Sequence, residues 1–102
     1  MGFDIELQDE WGGTIESIGD PKNLLDKLLP PTADESHPIL GAIDSYGNTV
    51  FNTVQIRWFL SEWREVLEKA QTEEEKALVA RIESMARRVQ DEVHLYLKFI
   101  GD

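Results

Sequence analysis

Two apolar seams separated by one capped break limit what this chain can become. Ile56, Phe59, Leu60, Trp63, Val66, Leu67 and Ala70 recur at spacings of three and four, the period of one helix face. Leu78, Ile82, Met85, Val89, Val93, Tyr96 and Ile100 repeat the pattern. Between them, Thr72-Glu73-Glu74-Glu75 has the form of a capping box, with Thr72 as cap and Glu75 at the third helical position. Its acids also suit the positive end of a helix dipole. A link as short as Gln71-Thr72 turns the second helix back beside the first. Asn52, with Gln55 three residues later, marks the start of the first helix, and Gly101 suits the end of the second. The C-terminal half therefore reads as a long antiparallel α-hairpin with Trp63 in its seam. Trp58 lies off that seam, one turn after Val54. It is expected to pack under a sheet, because a helix between a sheet and another helix buries two stripes.

The N-terminal half reads as β structure. Phe3-Asp4-Ile5-Glu6-Leu7 alternates apolar and acidic residues, the period-2 pattern of a half-buried strand. Asp9-Glu10-Trp11-Gly12-Gly13 is a turn and Thr14 to Ile18 a second strand, so residues 3–18 are expected to form a hairpin. Asp20-Pro21 starts a short helix with Leu24, Leu25, Leu28 and Leu29 on one face, and Pro30-Pro31 ends it. Residues 30–38 read as a surface loop. Ile39 to Asp44 and Thr49 to Phe51, around Ser45-Tyr46-Gly47-Asn48, read as a second hairpin. The fold class is thus α+β: two short β-hairpins and a small helix packed against a long C-terminal antiparallel α-hairpin. The length of 102 residues fits one domain over 1–102.

Charge narrows the function. Residues 1–50 hold ten acids (Asp4, Glu6, Asp9, Glu10, Glu16, Asp20, Asp26, Asp34, Glu35, Asp44) and two bases (Lys22, Lys27), a net of −8; residues 51–102 hold ten acids and eight bases, a net of −2. A molecule with this field repels phosphate and attracts something basic. Arg81, Arg87 and Arg88 are the only concentration of bases, and Glu83 sits four residues before Arg87. They read as a solvated, ion-paired helix face and not as a nucleic-acid site. Cys is absent, which fits a reducing cytoplasm. MGFDIELQDE has neither a basic region nor an apolar run, and Glu6 stands where a myristoylation signal needs Ser or Thr. A soluble, unanchored, cytoplasmic protein is expected.

No pattern carries chemistry. Asp91 and His94 have a D-x-x-H spacing that places both on one helix face, but two ligands are too few for a metal. Ser36 or Ser45 with His37 and Asp44 has the residue types of a triad without a nucleophile elbow. Gly12-Gly13 lacks the spacing and the Lys of a phosphate loop. No metal, no cofactor and no enzymatic activity is expected.

The stretch from Ile43 to Asn52 (IDSYGNTVFN) running into a helix, and the ending from His94 to Asp102 (HLYLKFIGD), resemble small acidic bacterial proteins of poorly assigned function. Some of these look like immunity partners of secreted toxins. In size and acidity the chain is also similar to barstar-like nuclease inhibitors, a similarity of physics and not of motif. The resemblance implies a binding protein and assigns no functional residue. Charge and predicted exposure point to the partner-binding positions: Asp9, Glu10, Asp34, Glu35 and Asp44 in loops or at strand ends, with Trp11 and Tyr46 as aromatic anchors. The leading expectation is a monomer or weak homodimer that inhibits a basic protein such as a toxic nuclease. The rival is a structural domain that dimerises through its C-terminal helices.

Overall fold

In a computed structural model, which describes residues 2–101, the N-terminal alternation pairs as the sequence implies. Strands β1 (Asp4–Asp9) and β2 (Thr14–Gly19) form an antiparallel hairpin. Ile5 and Leu7 are fully buried, while Asp4 is exposed and Glu6 and Gln8 half-buried, so one sheet face is core and the other wet. The register runs Leu7 opposite Glu16 and then Gln8 opposite Thr14, which leaves Ile15 as the extra residue of a bulge. Asp20 is buried, and its carboxylate accepts from the N–H of Leu24 at 2.8 Å and of Leu25 at 2.9 Å. The sequence makes Asp20 the N-cap of a helix starting at Pro21; the chain instead turns through Asn23 at φ 56° into a 3-10 turn, Leu24–Lys27, whose first two N–H groups Asp20 reaches from further back.

The second hairpin does not form. Leu40–Ala42 is a 3-10 turn, and β3 (Asn48–Phe51) pairs with no strand from residues 39–44. Its partner is β4 (Leu95–Ile100), the stretch read from its spacing as the end of the second helix. β4 also pairs with β1, so the sheet order is β2-β1-β4-β3 and the C-terminal strand lies in the middle. The helical reading failed because Val89, Val93, Tyr96 and Ile100 satisfy a helix period while Leu95-Tyr96-Leu97-Lys98-Phe99-Ile100 satisfies a strand period. The strand wins because Leu95, Leu97 and Phe99 then all enter the core. The chain leaves the helix through Glu92 in an extended conformation and His94 at φ 63°, a left-handed residue that is not glycine. Gly101, expected to end a helix, instead donates its N–H to the Gly47 carbonyl at 2.7 Å.

Helices α1 (Ile56–Lys69) and α2 (Glu73–Asp91) cover the apolar sheet face. Asn52 and Gln55 exchange bonds as a capping pair: the Asn52 side chain accepts from the Gln55 N–H and the Gln55 side chain from the Asn52 N–H, each at 2.9 Å. Thr72 and Glu75 form the expected capping box. The seams of both helices are spent internally, with Ile56, Phe59, Trp63, Ile82, Met85, Ala86 and Val89 fully buried. Phe99 joins sheet to helices: its ring lies 5.9 Å from Phe3, 6.1 Å from Phe51, 5.9 Å from Phe59 and 6.4 Å from Trp63. The inward-facing Glu16 on edge strand β2 is held by Arg81 at 2.6 Å and Arg88 at 3.5 Å. Together with the Ile15 bulge it blunts an edge strand whose unpaired backbone groups are otherwise open to pairing with another chain. Trp58, expected under the sheet, is 46% exposed with the Arg57 guanidinium 4.9 Å from its ring centre. The sheet covers only one stripe of α1, and Trp58 is on another. No helix among the described residues is long and apolar enough to cross a membrane.

Trp63 stacks on Phe59 at 5.0 Å, and its indole N–H donates to the Val79 carbonyl at 3.0 Å. Trp63→Ala is expected to cost about 3–5 kcal/mol, as large-to-small core changes do. Denaturant melting checks this, and a wild-type midpoint contradicts the packing.

Glu75 is buried. It accepts from the N–H of Gln71 at 2.9 Å and of Thr72 at 3.3 Å, with Lys27 Nζ 2.7 Å from its other oxygen. Lys27 first, and then the two N–H groups, lower its carboxyl from 4.5 to about 2. The folded value is below the unfolded one, so this stabilisation is complete above pH 4.5 and is lost as pH falls through about 2. Stability measured by urea melts from pH 6 to pH 2 should therefore decline less steeply in Glu75→Gln than in the native chain. Parallel declines contradict the assignment.

Candidate partner-binding surface

β1 and β3 both run antiparallel to β4, and so parallel to each other, which gives the sheet two distinct ends. Asp9 pairs with Leu95 at one end, while Asp4 and Asn48 pair with Ile100 at the other. The length of β1 between them is about 17 Å.

The first end carries Asp9, Glu10 and Trp11. One Asp9 carboxylate oxygen accepts from the N–H of Trp11 at 2.9 Å and of Gly13 at 2.8 Å. The Asp9 carbonyl accepts from Gly12 at 3.1 Å, and the Asp9 N–H donates to the Gly13 carbonyl at 2.9 Å. Gly12 sits at φ 81°, a conformation that side chains disfavour. These bonds fix the turn and leave Trp11 86% exposed at its tip. Beside it, Glu10 lies 3.5 Å from His94 Nδ1, in the link that leads into β4. That link also carries Val93, 78% exposed and not in the seam where its spacing put it. Past β3, Val54 is 57% exposed on a segment tied to α2 by the Thr53 hydroxyl, which donates to the Val89 carbonyl at 3.4 Å. This end therefore shows Trp11, Val54 and Val93 to solvent, with the exposed Glu10 and Asp91 on the same segments and Glu92 paired with Arg88 at 2.8 Å. Since α2 stops at Asp91, Asp91 and His94 do not share a helix face as their spacing implied.

Asp44 and Tyr46 sit at the opposite end. Asp44 accepts from the Tyr46 N–H at 2.9 Å and donates its own N–H to the Thr49 hydroxyl at 2.9 Å. Tyr46 is 86% exposed. Asp34 and Glu35 lie on a third element, the 30–39 loop, which is clamped to α1. Asp34 accepts from the Ser36 hydroxyl at 2.9 Å and contacts His37 Nδ1 at 2.9 Å, and the other ring nitrogen of His37 meets the Glu65 carboxylate. Glu62 accepts from the N–H of Ile39 at 3.1 Å and of Leu40 at 2.8 Å. Glu35 is exposed.

The partner-binding positions read from sequence thus fall into three groups and not one patch. Asp9, Asp34 and Asp44 each spend carboxylate oxygens on nearby backbone N–H groups, a turn-making role that charge counting does not reveal. Sequence reasoning missed Val54 and Val93 at the Trp11 end, and His37, Glu62 and Glu65 as a clamp. Val93 was hidden by its helix-compatible spacing. The clamp spans 28 residues from His37 to Glu65, and no local signal announces such a contact.

No protein-family model, curated protein or solved structure matches the chain.

Carboxylates on both ring nitrogens, Glu65 foremost and then Asp34, raise the pKa of His37 above 6.5, and His37 in turn lowers Asp34. The stabilisation from this clamp is complete below pH 6.5 and is lost as pH rises through the raised value. NMR titration should show the His37 ring deprotonating above pH 6.5 in the native chain and at lower pH in Glu65→Gln. An unchanged titration contradicts the clamp.

Proposed function

We propose that the protein is a non-enzymatic acidic binding protein, an inhibitor or immunity protein that neutralises a basic partner such as a toxic nuclease in the cytoplasm. The observation that carries this reading is Trp11. It is 86% exposed on a turn fixed by the Asp9 carboxylate, with Glu10 beside it and the exposed Val93 and Val54 on neighbouring segments. Trp is among the residue types most enriched at binding hot spots, and apolar neighbours such as Val54 and Val93 can help to exclude water around it. A pre-formed turn lowers the entropy lost when such an anchor docks. The net charge of −10 supplies the second requirement. A nuclease holds phosphates in a basic cleft, and carboxylates beside a hydrophobic anchor can occupy that cleft while the opposed fields speed encounter.

The test is capture of the partner at low salt from the organism that encodes the chain, followed by stopped-flow kinetics. The captured protein should be basic, and association should slow as salt rises, since a Debye length of about 8 Å at physiological salt screens the attraction. Trp11→Ala should raise the off-rate about tenfold or more. Neutralising Glu10 and Asp91 together should lower the on-rate more than neutralising Glu73 and Glu74, which lie in the first turn of α2 at its far end. A captured partner that is acidic, or whose off-rate ignores Trp11→Ala, overturns the reading.

A further inference from the structure

The end of the sheet opposite Trp11 holds a cleft that the Trp11 surface does not use. Two adjoining cavities, of about 390 and 240 Å³, lie between the start of β1, the Leu24–Lys27 turn, the 30–32 segment and the 43–46 loop. Phe3, Asp26, Thr32 and Ser45 border both. Leu29, Pro30, Leu40 and Ile43 are among the apolar residues that border the smaller, which presents polar surface as well. The larger is bordered also by Asn23 and Tyr46 and is likewise mixed in polarity. Asp26 is the only ionisable carboxylate among the described lining residues, and none of them is basic.

The Tyr46 loop is held in place. The Asp44 side chain accepts from the Tyr46 N–H at 2.9 Å, and Gly101, just past the central strand, donates to the Gly47 carbonyl at 2.7 Å. Apolar residues, one carboxylate residue, Thr32, Ser45 and the exposed Tyr46 on a loop with a fixed backbone, all bordering one cleft, are complementary to one kind of group. That group is a cation on an aliphatic stem. The stem lies along the apolar residues, the charged head reaches Asp26 and the hydroxyls, and the Tyr46 ring adds a cation–π contact. The size also falls in the range of small-ligand sites.

We propose that this cleft takes an arginine or lysine side chain of the basic partner, as a second contact point remote from Trp11. The proposal rests on the reading of the protein as a binder of a basic protein. It adds the chemical identity of the group recognised. A guanidinium fits better than an ammonium, because its planar fork satisfies a carboxylate and neighbouring hydroxyls together.

The experiment is amide-resolved NMR titration of the full chain with N-acetyl-arginine-N-methylamide, with its uncharged citrulline counterpart and with spermidine. Saturable shifts confined to Asn23, Asp26, Thr32, Ser45 and Tyr46 are expected for the arginine compound. They should be absent for the citrulline compound and weakened about tenfold in Asp26→Asn, whose fold the same spectra verify. Trp11→Ala should leave them unchanged. Shifts scattered over the acidic surface, none at all, or equal affinity in Asp26→Asn overturn the proposal. Tighter binding of spermidine than of the arginine compound also overturns it, by assigning the cleft to a free polyamine. The two readings fail separately. A negative titration removes the cleft and leaves the Trp11 surface to the kinetic test, whereas an acidic captured partner removes the basic-partner reading whatever the titration shows.

Discussion

The last strand of the chain occupies the centre of the sheet, and the rest of the structure depends on that placement. β4 is hydrogen-bonded on both sides, to β1 from the first residues and to β3 from the middle. Its Phe99 lies against rings from β3 and α1 as well as Phe3. Without β4, the β1–β2 hairpin and β3 have no common partner, and the helix pair has no continuous apolar surface to cover. Isolated two-stranded hairpins are marginal in water, so the N-terminal hairpin gains its rigidity from this pairing. The contact between the two ends of the chain is also long-range, and such pairing slows folding relative to local contacts.

The same placement decides where function can lie. Because β1 and β3 run parallel on either side of β4, the turn after β1 and the loop before β3 must emerge at opposite ends. Acidic loops that look equivalent in sequence are thereby sent apart. At each of these loops a carboxylate is spent on the chain's own backbone. Asp9 ties down the turn of Trp11 and Asp44 ties down the loop of Tyr46. Acidity in this protein is both a long-range field and a local device for fixing where exposed aromatics stand.

Local signals were legible in the sequence. The alternation of residues 3–7, the Thr72/Glu75 box, the Asn52/Gln55 pair, the burial of Trp63 and the exposure of Trp11 and Tyr46 all follow from spacing and turn chemistry within a few residues. Competition between periods was not legible. Residues 95–100 satisfy a strand period while Tyr96 and Ile100 also continue the helix seam, and the open position beside β1 settles the choice. Ile39 to Asp44 is β-prone, yet Gly41 lies against the Asp34 backbone, which curls the run into a turn. Trp58 differs from Trp63 by one helix stripe, and which stripe a sheet will cover is a tertiary fact. The candidate surface was legible at Asp9, Glu10 and Trp11, which are contiguous. Its completion by Val54 and Val93 was not, because those residues arrive through β3 and β4.

The central claim is that the fold holds Trp11 rigidly at the surface before any partner arrives. Backbone ¹⁵N relaxation of the free protein measures this directly. Bonds from Asp9 to Trp11 and Gly13, on a turn anchored through β1 to the central strand, predict order parameters at Trp11 and Gly13 near the rigid-backbone value of about 0.85, falling in Asp9→Ala. Values below about 0.6 in the native chain would contradict the account, because a floppy tip is no pre-formed anchor.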